Sequence, residues 1–326
     1  LLFRSTVSWN SVIAGYAQQG QLHKALNCLK EMKCEGLYPD AITFIYILTV
    51  CGISGAIDKG KEIHYEIRRR DLLLKNVALG NALVDMYVKC GVLAKAQEVH
   101  EEIPVRDVIS WNSLIAGYAH QGYYHDAFHC FEQMQVENLF PDGITFMCIL
   151  KACGKTGAAE KRKLIHMDIM SRSLIEKDIT VCHALVEMYA NCGMVAEAQK
   201  VLEDLPVRDT LTCNAVIAGY MKREQGQEAL NCFEWMENEG LSPDGFTIIS
   251  ILKACGKIGA IKRGKEIHEI ILNRCFLDKN VAVGTTLVNM YAKWGMLEKA
   301  QQVLKELPVQ EIVSLNALIS GYVQHR

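Results

Sequence analysis

The sequence predicts an all-α solenoid of stacked helix-turn-helix repeats, and three observations support this prediction. Landmark residues recur every 102 positions along the 326-residue chain, as Pro39, Pro141 and Pro243 do. Turn residues divide each period into segments of 35, 36 and 31 residues. No stretch alternates apolar and polar residues for long, so no β-sheet is expected. A fixed period with glycines and prolines in register is typical of repeats that bury their apolar faces against one another.

Each segment is expected to form two helices, and residues 6–40 illustrate the pattern. Apolar residues recur there at helical spacing. We expect Ser8 to cap the first helix and Gly20 to end it. The second helix should begin near Leu22 and end before Pro39, because proline cannot continue a helix.

The repeat spacing also sets the organisation of the chain. Residues 1–5 are interpreted as the tail of an earlier motif, and residues 312–326 as the opening of a further one. Between them lie three 102-residue periods, at residues 6–107, 108–209 and 210–311. The segments within these periods are 6–40, 41–76 and 77–107, then 108–142, 143–178 and 179–209, then 210–244, 245–280 and 281–311.

Composition excludes several classes of protein. The net charge is −2, which argues against a cationic protein that coats nucleic acid non-specifically. No apolar run reaches the roughly 18 residues that a membrane span needs, so no membrane association is expected. No secretory signal is visible. The 13 cysteines are therefore interpreted as reduced, buried thiols of an intracellular protein, with a disulfide framework as the alternative.

Residue types that often serve catalysis do not cluster in this sequence. His64, His166 and His268 lie three segments apart, and adjacent helices are about 8–10 Å apart, so these histidines cannot share a metal ion. We expect them to be structural. Residues 64–66 match the H-x-E pattern of nucleobase deaminases, but the chain contains no C-x-x-C to complete a zinc site. The sequence therefore predicts no catalytic residue, no metal site, no cofactor and no enzymatic activity.

The repeats closely resemble pentatricopeptide repeat proteins of plant organelles, in the subclass with alternating P, L and S motifs. The P pattern is matched by TVSWNSVIAGYAQQGQLHKALNCLKEMKCEGLYPD, the L pattern by GITFMCILKACGKTGAAEKRKLIHMDIMSRSLIEKD, and the S pattern by VALGNALVDMYVKCGVLAKAQEVHEEIPVRD. The resemblance covers essentially the whole chain. It implies a right-handed superhelix that binds single-stranded RNA sequence-specifically, with one motif for each nucleotide.

In this family, the fifth and last residues of a motif read the base. The resemblance therefore assigns base recognition to Asn10 with Asp40, Asn81 with Asp107, Asn112 with Asp142, His183 with Asp209, Asn214 with Asp244, Thr285 with Glu311, and Asn316. Asn with Asp favours uridine in the family, and Thr at the fifth position suggests a purine. The base that His183 and Asp209 read is not assigned by the resemblance. A single Asn could simply satisfy local backbone groups, whereas four in register favour base contact. For the Asp residues that follow Pro39, Pro141 and Pro243, a helix N-cap role is equally expected.

The second residues of successive motifs are implied to hold each base between two apolar side chains. These residues are Val7, Ile42, Ile109, Ile144, Leu211, Phe246 and Val313. The fifth residues of the L motifs are Ile45, Met147 and Ile249, whose side chains cannot hydrogen-bond a base. The L motifs are therefore expected to set the spacing between the other motifs and to stack on bases, and to read bases poorly. The resulting RNA register is 5′-U-n-U-U-n-n-U-n-R-(Y)-3′.

The resemblance also implies a biological role. Proteins with P, L and S motifs usually specify sites of C-to-U RNA editing in chloroplasts or mitochondria. We expect this chain to be a monomeric recognition tract, with a possible DYW deaminase domain downstream and a possible MORF-type helper protein at the L motifs. The alternative is a protein-binding scaffold of the tetratricopeptide type, which the near-neutral charge favours.

Overall fold

The computed structural model describes residues 5–156, 159–309 and 312–325, and every regular element in these ranges is a helix. A short 3₁₀ turn at Leu73–Lys75 precedes the fifth α-helix. The predicted fold class, an all-α array of helix-turn-helix repeats, is confirmed. In chain order the helices are α1 (Thr6–Gln18), α2 (Leu22–Cys34), α3 (Ala41–Ile53), α4 (Ile57–Arg69), α5 (Val77–Lys89), α6 (Leu93–Glu102), α7 (Val108–Gln121), α8 (Tyr124–Val136), α9 (Gly143–Cys153), α10 (Ala159–Ser171), α11 (Leu174–Lys177), α12 (Ile179–Asn191), α13 (Val195–Asp204), α14 (Thr210–Lys222), α15 (Gly226–Asn238), α16 (Gly245–Ile258), α17 (Ile261–Asn273), α18 (Phe276–Lys279), α19 (Val281–Lys293), α20 (Leu297–Glu306) and α21 (Ile312–Gln324).

The helices belong to two compact units, Leu1–Thr156 and Gly157–Arg326, which are described separately. In the first unit, α1, α3, α5, α7 and α9 pack side by side in succession, and α2, α4, α6 and α8 each pack on the helix before them. In the second unit, α12, α14, α16, α19 and α21 form the corresponding row. Residues at the same position of successive helices in a row are therefore neighbours, which is what positions the site.

The turns follow from local sequence. Gly20 separates α1 from α2 with φ +67°, a backbone conformation that glycine adopts without strain. Pro39 is buried after the end of α2, and Asp40 then caps α3. The predicted start of α2 at Leu22 is confirmed. The prediction that Ser8 caps α1 is wrong, because the Ser5 side chain accepts the hydrogen bond from the Ser8 backbone N–H.

The predicted structural histidines each bond a tyrosine that lies 23 residues later in the chain. Nδ1 of His64 lies 2.9 Å from Tyr87 Oη, and the same atom of His166 lies 2.7 Å from Tyr189 Oη. His268 repeats the contact at 2.9 Å. Within the described residues, no group of three or more His, Cys, Asp or Glu side chains is placed to hold a metal ion.

The apolar interior agrees with the sequence reading. Trp9 and Trp111 are buried, as predicted. All 13 cysteines are free thiols, but the prediction that they are buried is wrong for Cys34 and Cys275, which are exposed, and four others are only partly buried. Burial raises the pKa of Cys130 and of Cys232 to about 12, which keeps these thiols protonated and unreactive at neutral pH. None of the helices in the described part of the chain is both long enough and apolar enough to cross a membrane.

Candidate functional site

The predicted Asn and Asp pairs form direct contacts between the fifth and the last residue of a segment. In the first segment, Asn10 lies on α1 and donates from Nδ2 to Asp40 Oδ1 at 3.1 Å. The same bond repeats at 3.0 Å from Asn112 to Asp142. In the third copy, Asn214 Nδ2 donates to the other carboxylate oxygen, Asp244 Oδ2, at 3.0 Å. Residues 30 positions apart meet because each Asp stands where the next segment begins, beside the helix that carries the Asn.

Each of these Asp residues also caps the helix that follows it. Asp40 Oδ1 accepts the Thr43 backbone N–H at 2.8 Å, and Asp142 accepts that of Thr145 at 2.9 Å. Burial alone would raise the pKa of Asp40, but hydrogen bonds from Thr43 and Asn10 outweigh it, so the pKa is lowered. The carboxylate is therefore ionised at neutral pH and both anchors a helix and faces a neighbouring amide.

A threonine fixes the orientation of the amide in the 35-residue segments. Thr43 Oγ1 donates to Asn10 Oδ1 at 2.6 Å, and Thr145 donates to Asn112 Oδ1 at 2.6 Å. The contact recurs in the third copy between Thr247 and Asn214 at 2.7 Å. Because a carboxylate only accepts hydrogen bonds, the Asn NH₂ must face the Asp and the Asn carbonyl the threonine.

The Asn side chains are largely enclosed by these contacts. Asn10, Asn81, Asn112 and Asn214 are only 6–7% exposed. In a 35-residue segment, one amide N–H bonds the Asp and one carbonyl lone pair bonds the threonine. One N–H and one lone pair stay available for a ligand, fewer than a free amide offers.

The pair in the first 31-residue segment is held differently. Asn81 Nδ2 donates to both Asp107 oxygens, at 3.0 and 2.9 Å. Ser110 replaces the threonine, and its hydroxyl donates instead to the Asp107 backbone carbonyl at 2.9 Å. The Asn81 carbonyl oxygen is consequently buried with no partner among the described residues.

The remaining predicted pairs vary. His183 Nε2 lies 2.7 Å from Asp209 Oδ2. Thr285 Oγ1 is buried and has no partner in the described parts of the chain, while its predicted partner Glu311 lies outside the described residues. Asn316 is exposed on α21. In the 36-residue segments, Ile45, Met147 and Ile249 are half-buried at the fifth position.

The predicted base-sandwiching residues share a distinct environment. All are large apolar side chains in the first turn of the first helix of a segment, and all are 51–72% exposed. These residues are Val7, Ile42, Ile109, Ile144, Leu211, Phe246 and Val313. Burial would normally be favoured for such side chains, so their regular exposure is typical of a binding surface.

In the second unit, the two sets of residues meet in one groove of about 450 Å³ between α12, α14 and α16. Five of its lining residues are predicted site residues: His183, Leu211, Asn214, Asp244 and Phe246. The groove therefore combines two exposed apolar walls with polar groups at its floor, an arrangement that suits a flat aromatic ring with a polar edge.

The sequence analysis did not identify the exposed lysine that lines this groove. Lys222 lines the groove from the end of α14 and is exposed. It is the thirteenth residue of its segment, and exposed lysines hold that position in four others: Lys89, Lys155, Lys257 and Lys293. The signal was present as a helical spacing of eight residues from the fifth position, which places both side chains on one helix face. Lys222 thus places one positive charge beside a groove that Glu187 and Asp244 also line.

Comparison with known proteins places these features in a family. The PPR repeat family model matches residues 4–52, 106–155 and 208–257, and the PPR repeat model matches residues 81–108 and 285–311. A chloroplastic pentatricopeptide repeat-containing protein of Arabidopsis thaliana is 35% identical over 323 residues, covering 99% of this chain and 39% of that protein. A mitochondrial one from the same plant is 32% identical over 323 residues, covering 99% of this chain and 31% of that protein.

Among solved structures, this chain is similar to the pentatricopeptide repeat protein PPR10, determined in complex with an 18-nucleotide psaJ RNA element. The TM-score is 0.77 at 19% identity, covering 98% of this chain and 48% of PPR10. This likeness shows the fold. The chain spans between about a third and just over half of the length of the curated relatives that it matches.

Proposed function

We propose, for a chain that belongs to the pentatricopeptide repeat family, that its row of first helices binds single-stranded RNA with one motif for each nucleotide. The observation that carries this proposal is the groove between α12 and α16, where exposed Leu211 and Phe246 flank the Asn214–Asp244 pair. An unpaired base fits between such walls by stacking, while its polar edge meets the amide and the carboxylate.

Two further observations support RNA as the ligand. PPR10, which shares the fold, was solved with a bound RNA element. Lys222, one of the exposed lysines at the thirteenth position of a segment, lines the groove from the helix that carries Asn214, where it suits a phosphate backbone. The free N–H of the asparagine can donate to one carbonyl of a uracil edge, and the pair can accept from the uracil N3–H, while water can bridge to the second carbonyl. The proposed target therefore keeps the order 5′-U-n-U-U-n-n-U-n-R-(Y)-3′.

The biological role that we propose is target recognition in organellar C-to-U RNA editing, by a tract of alternating P, L and S motifs. Relatives carry chloroplastic and mitochondrial names, which supports an organellar location. In this proposal the described tract recognises RNA and catalyses no reaction. A DYW deaminase domain and a MORF-type helper protein remain proposals for the whole protein, and we expect the tract itself to be a monomer.

Binding to synthetic RNAs tests the proposal. Fluorescence anisotropy should show tighter binding of the purified chain to a ten-nucleotide RNA in the proposed order than to a scrambled RNA of the same composition. In Asn112→Thr, preference at the fourth nucleotide should move from U towards G while the other positions stay unchanged. Equal binding of the two RNAs by the unaltered chain would instead favour a protein-binding scaffold of the tetratricopeptide type.

A further inference from the structure

We propose that the hydroxyl groups of Ser11 and Ser113, at the sixth position of two motifs, accept a hydrogen bond from the ribose 2′-hydroxyl and so distinguish RNA from DNA. This inference rests on the proposed RNA binding and adds to it a contact with the sugar. The third 35-residue segment has Ala215 at the same position and therefore offers a comparison within the chain.

The groove of the second unit shows where the sixth position lies relative to a ligand. It is lined from α14 by Leu211, Ala215, Ala218 and Lys222, which are four, three and four residues apart and so share one face of the helix. This row begins at an apolar wall for the base and ends at a lysine suited to phosphate. Because the sugar joins the base to the phosphate, it should pass the residues between them, and the sixth position therefore faces the sugar.

The first two 35-residue segments place a serine at this point of the row. Ser113 on α7 is half-buried, as Ala215 is, and the second residue of its segment, Ile109, is exposed as Leu211 is. Ser11 on α1 follows the exposed Val7 at the same spacing. Each serine thus stands one helical turn from the side chain against which the base is proposed to stack.

The hydrogen bond that each hydroxyl already makes determines its role towards a ligand. Ser113 Oγ donates to the Ile109 backbone carbonyl at 3.1 Å, and Ser11 Oγ donates to that of Val7 at 3.0 Å. A hydroxyl has one proton and two lone pairs, so each oxygen is left as an acceptor. The ribose 2′-hydroxyl can donate to such an acceptor, whereas deoxyribose has no donor at this carbon.

The other motifs extend the inference to a pattern along the strand. Thr286 holds the sixth position of the last 31-residue segment, and its hydroxyl likewise donates to a backbone carbonyl, that of Ala282, at 2.7 Å. Alanine holds the position in three motifs that carry a polar fifth residue, namely Ala82, Ala184 and Ala215. The chain should therefore contact the 2′-hydroxyl of the first, fourth and ninth nucleotides, and not that of the third, sixth and seventh.

Single sugar replacements in a ten-nucleotide RNA of the proposed order test the inference, with binding measured by competition. A deoxyribose at the fourth nucleotide should weaken binding about three- to fivefold, as expected for one lost hydrogen bond. The same replacement at the seventh nucleotide, opposite Ala215, should leave the affinity nearly unchanged. A 2′-fluoro group at the fourth nucleotide keeps an RNA-like sugar pucker but donates no hydrogen bond, so it should weaken binding as much as deoxyribose does. Equal effects of deoxyribose at the fourth and seventh nucleotides, or full affinity with the 2′-fluoro group, would overturn the inference.

Two reciprocal substitutions assign the effect to the hydroxyl. Ser113→Ala should bind the all-ribose RNA about three- to fivefold more weakly and become insensitive to deoxyribose at the fourth nucleotide. Because alanine favours a helix more than serine does, this variant should keep the melting temperature of the parent chain. Ala215→Ser should gain sensitivity to deoxyribose at the seventh nucleotide. Sensitivity at the fourth nucleotide that persists in Ser113→Ala would contradict the assignment.

The controls distinguish this inference from the proposed function. If the unaltered chain prefers the ordered RNA to a scrambled one but tolerates deoxyribose at the fourth nucleotide, the sugar contact is wrong and RNA recognition stands. If it does not distinguish ordered from scrambled RNA at all, the proposed function itself fails.

Discussion

The Asn112–Asp142 pair and the Asn81–Asp107 pair use the same two residue types, yet their surroundings differ. The Asn112 carbonyl accepts a hydrogen bond from Thr145 at 2.6 Å, whereas the Asn81 carbonyl is buried without a partner in the described structure. The amide of the 35-residue segment is therefore held from two sides and that of the 31-residue segment from one. In the RNA binding that we propose, two motifs with identical reading residues are therefore expected to differ in fidelity, because a third residue sets how firmly the amide is oriented.

The first 31-residue segment contains a second buried polar atom that has no hydrogen-bond partner among the described residues. His100 on α6 is buried against Trp111 with ring centroids 4.3 Å apart, and its Nε2 has no partner among the described residues. The repeats place Leu202 and Leu304 at the same position. An imidazole therefore occupies a site that two other copies fill with an aliphatic side chain, so this segment holds more unpaired polar atoms than its neighbour.

The largest effect in this comparison is expected from Asp142→Ala. The substitution removes the N-cap of α9 and the partner of the enclosed Asn112 amide, so the free energy of unfolding should fall by about 2 kcal/mol. Denaturant unfolding followed by circular dichroism measures it. Asp142→Asn, which can still cap the helix, is the matched control and should lose less than half as much. A loss of equal size in both variants would show that the charge, and not the cap, dominates.

His100→Leu should stabilise the chain by about 1 kcal/mol at neutral pH, because it removes an unsatisfied buried polar atom. Burial, with a smaller contribution from Arg106, lowers the pKa of His100 from 6.5 to about 4. The unfolded chain therefore takes up a proton before the folded chain does, and stability falls as the pH drops from 6.5 towards 4. Unfolding at several pH values should show a shallower fall in His100→Leu.

A matched histidine checks the origin of this acid sensitivity. Burial also lowers the pKa of His64 to about 4, but His64 bonds Tyr87 through Nδ1. The His100→Leu variant should therefore keep the part of the acid sensitivity that His64 contributes. An unchanged pH profile in His100→Leu would mean that the pKa of His100 is the same in the folded and in the unfolded chain.

Sequence reasoning reached the pairs of this site but not the way in which each amide is held. Asn112 and Asp142 are predictable as neighbours because the repeat places both at fixed positions of a segment. The hydroxyl bond from Thr145 is not predictable in this way, since Ser110 at the corresponding place bonds backbone instead. Which acceptor a hydroxyl chooses depends on the packing of three helices, and spacing does not encode it.

Comparison of the repeats would have corrected the wrong prediction that Ser8 caps α1. Ser8 has the right residue type for an N-cap, but Ser5 stands in register with Asp107 and Asp209, which cap the corresponding helices. The repeat register is thus a better guide to a cap than residue type alone. Glycines and prolines revealed the period, and the same register applied to polar residues would have identified Ser5.

Thr145→Val tests the difference between the two amides directly. Loss of the hydroxyl frees the Asn112 amide to rotate, so discrimination between U and the other bases at the fourth nucleotide should fall about two- to fivefold. Discrimination at the third nucleotide, opposite Asn81, should not change. Thr145→Ser keeps a hydroxyl and should retain most of the discrimination. A uniform loss of affinity at every position would instead indicate that Thr145 only stabilises the fold.

The smallest effect is expected from Lys222→Ala, which affects a position common to both kinds of segment. Its side chain lines the groove but is eight residues from the reading position on α14, so it should contact phosphate and not a base edge. Affinity should fall about equally for every RNA sequence, and the slope of log affinity against log salt should decrease by about 0.7, as expected for one contact to a single strand. Lys200→Ala removes the same charge from α13, whose Lys200 lines a different groove, and should leave the slope unchanged. A change in base preference in Lys222→Ala would contradict this assignment of roles, in which the amides select the base and the lysine contacts phosphate.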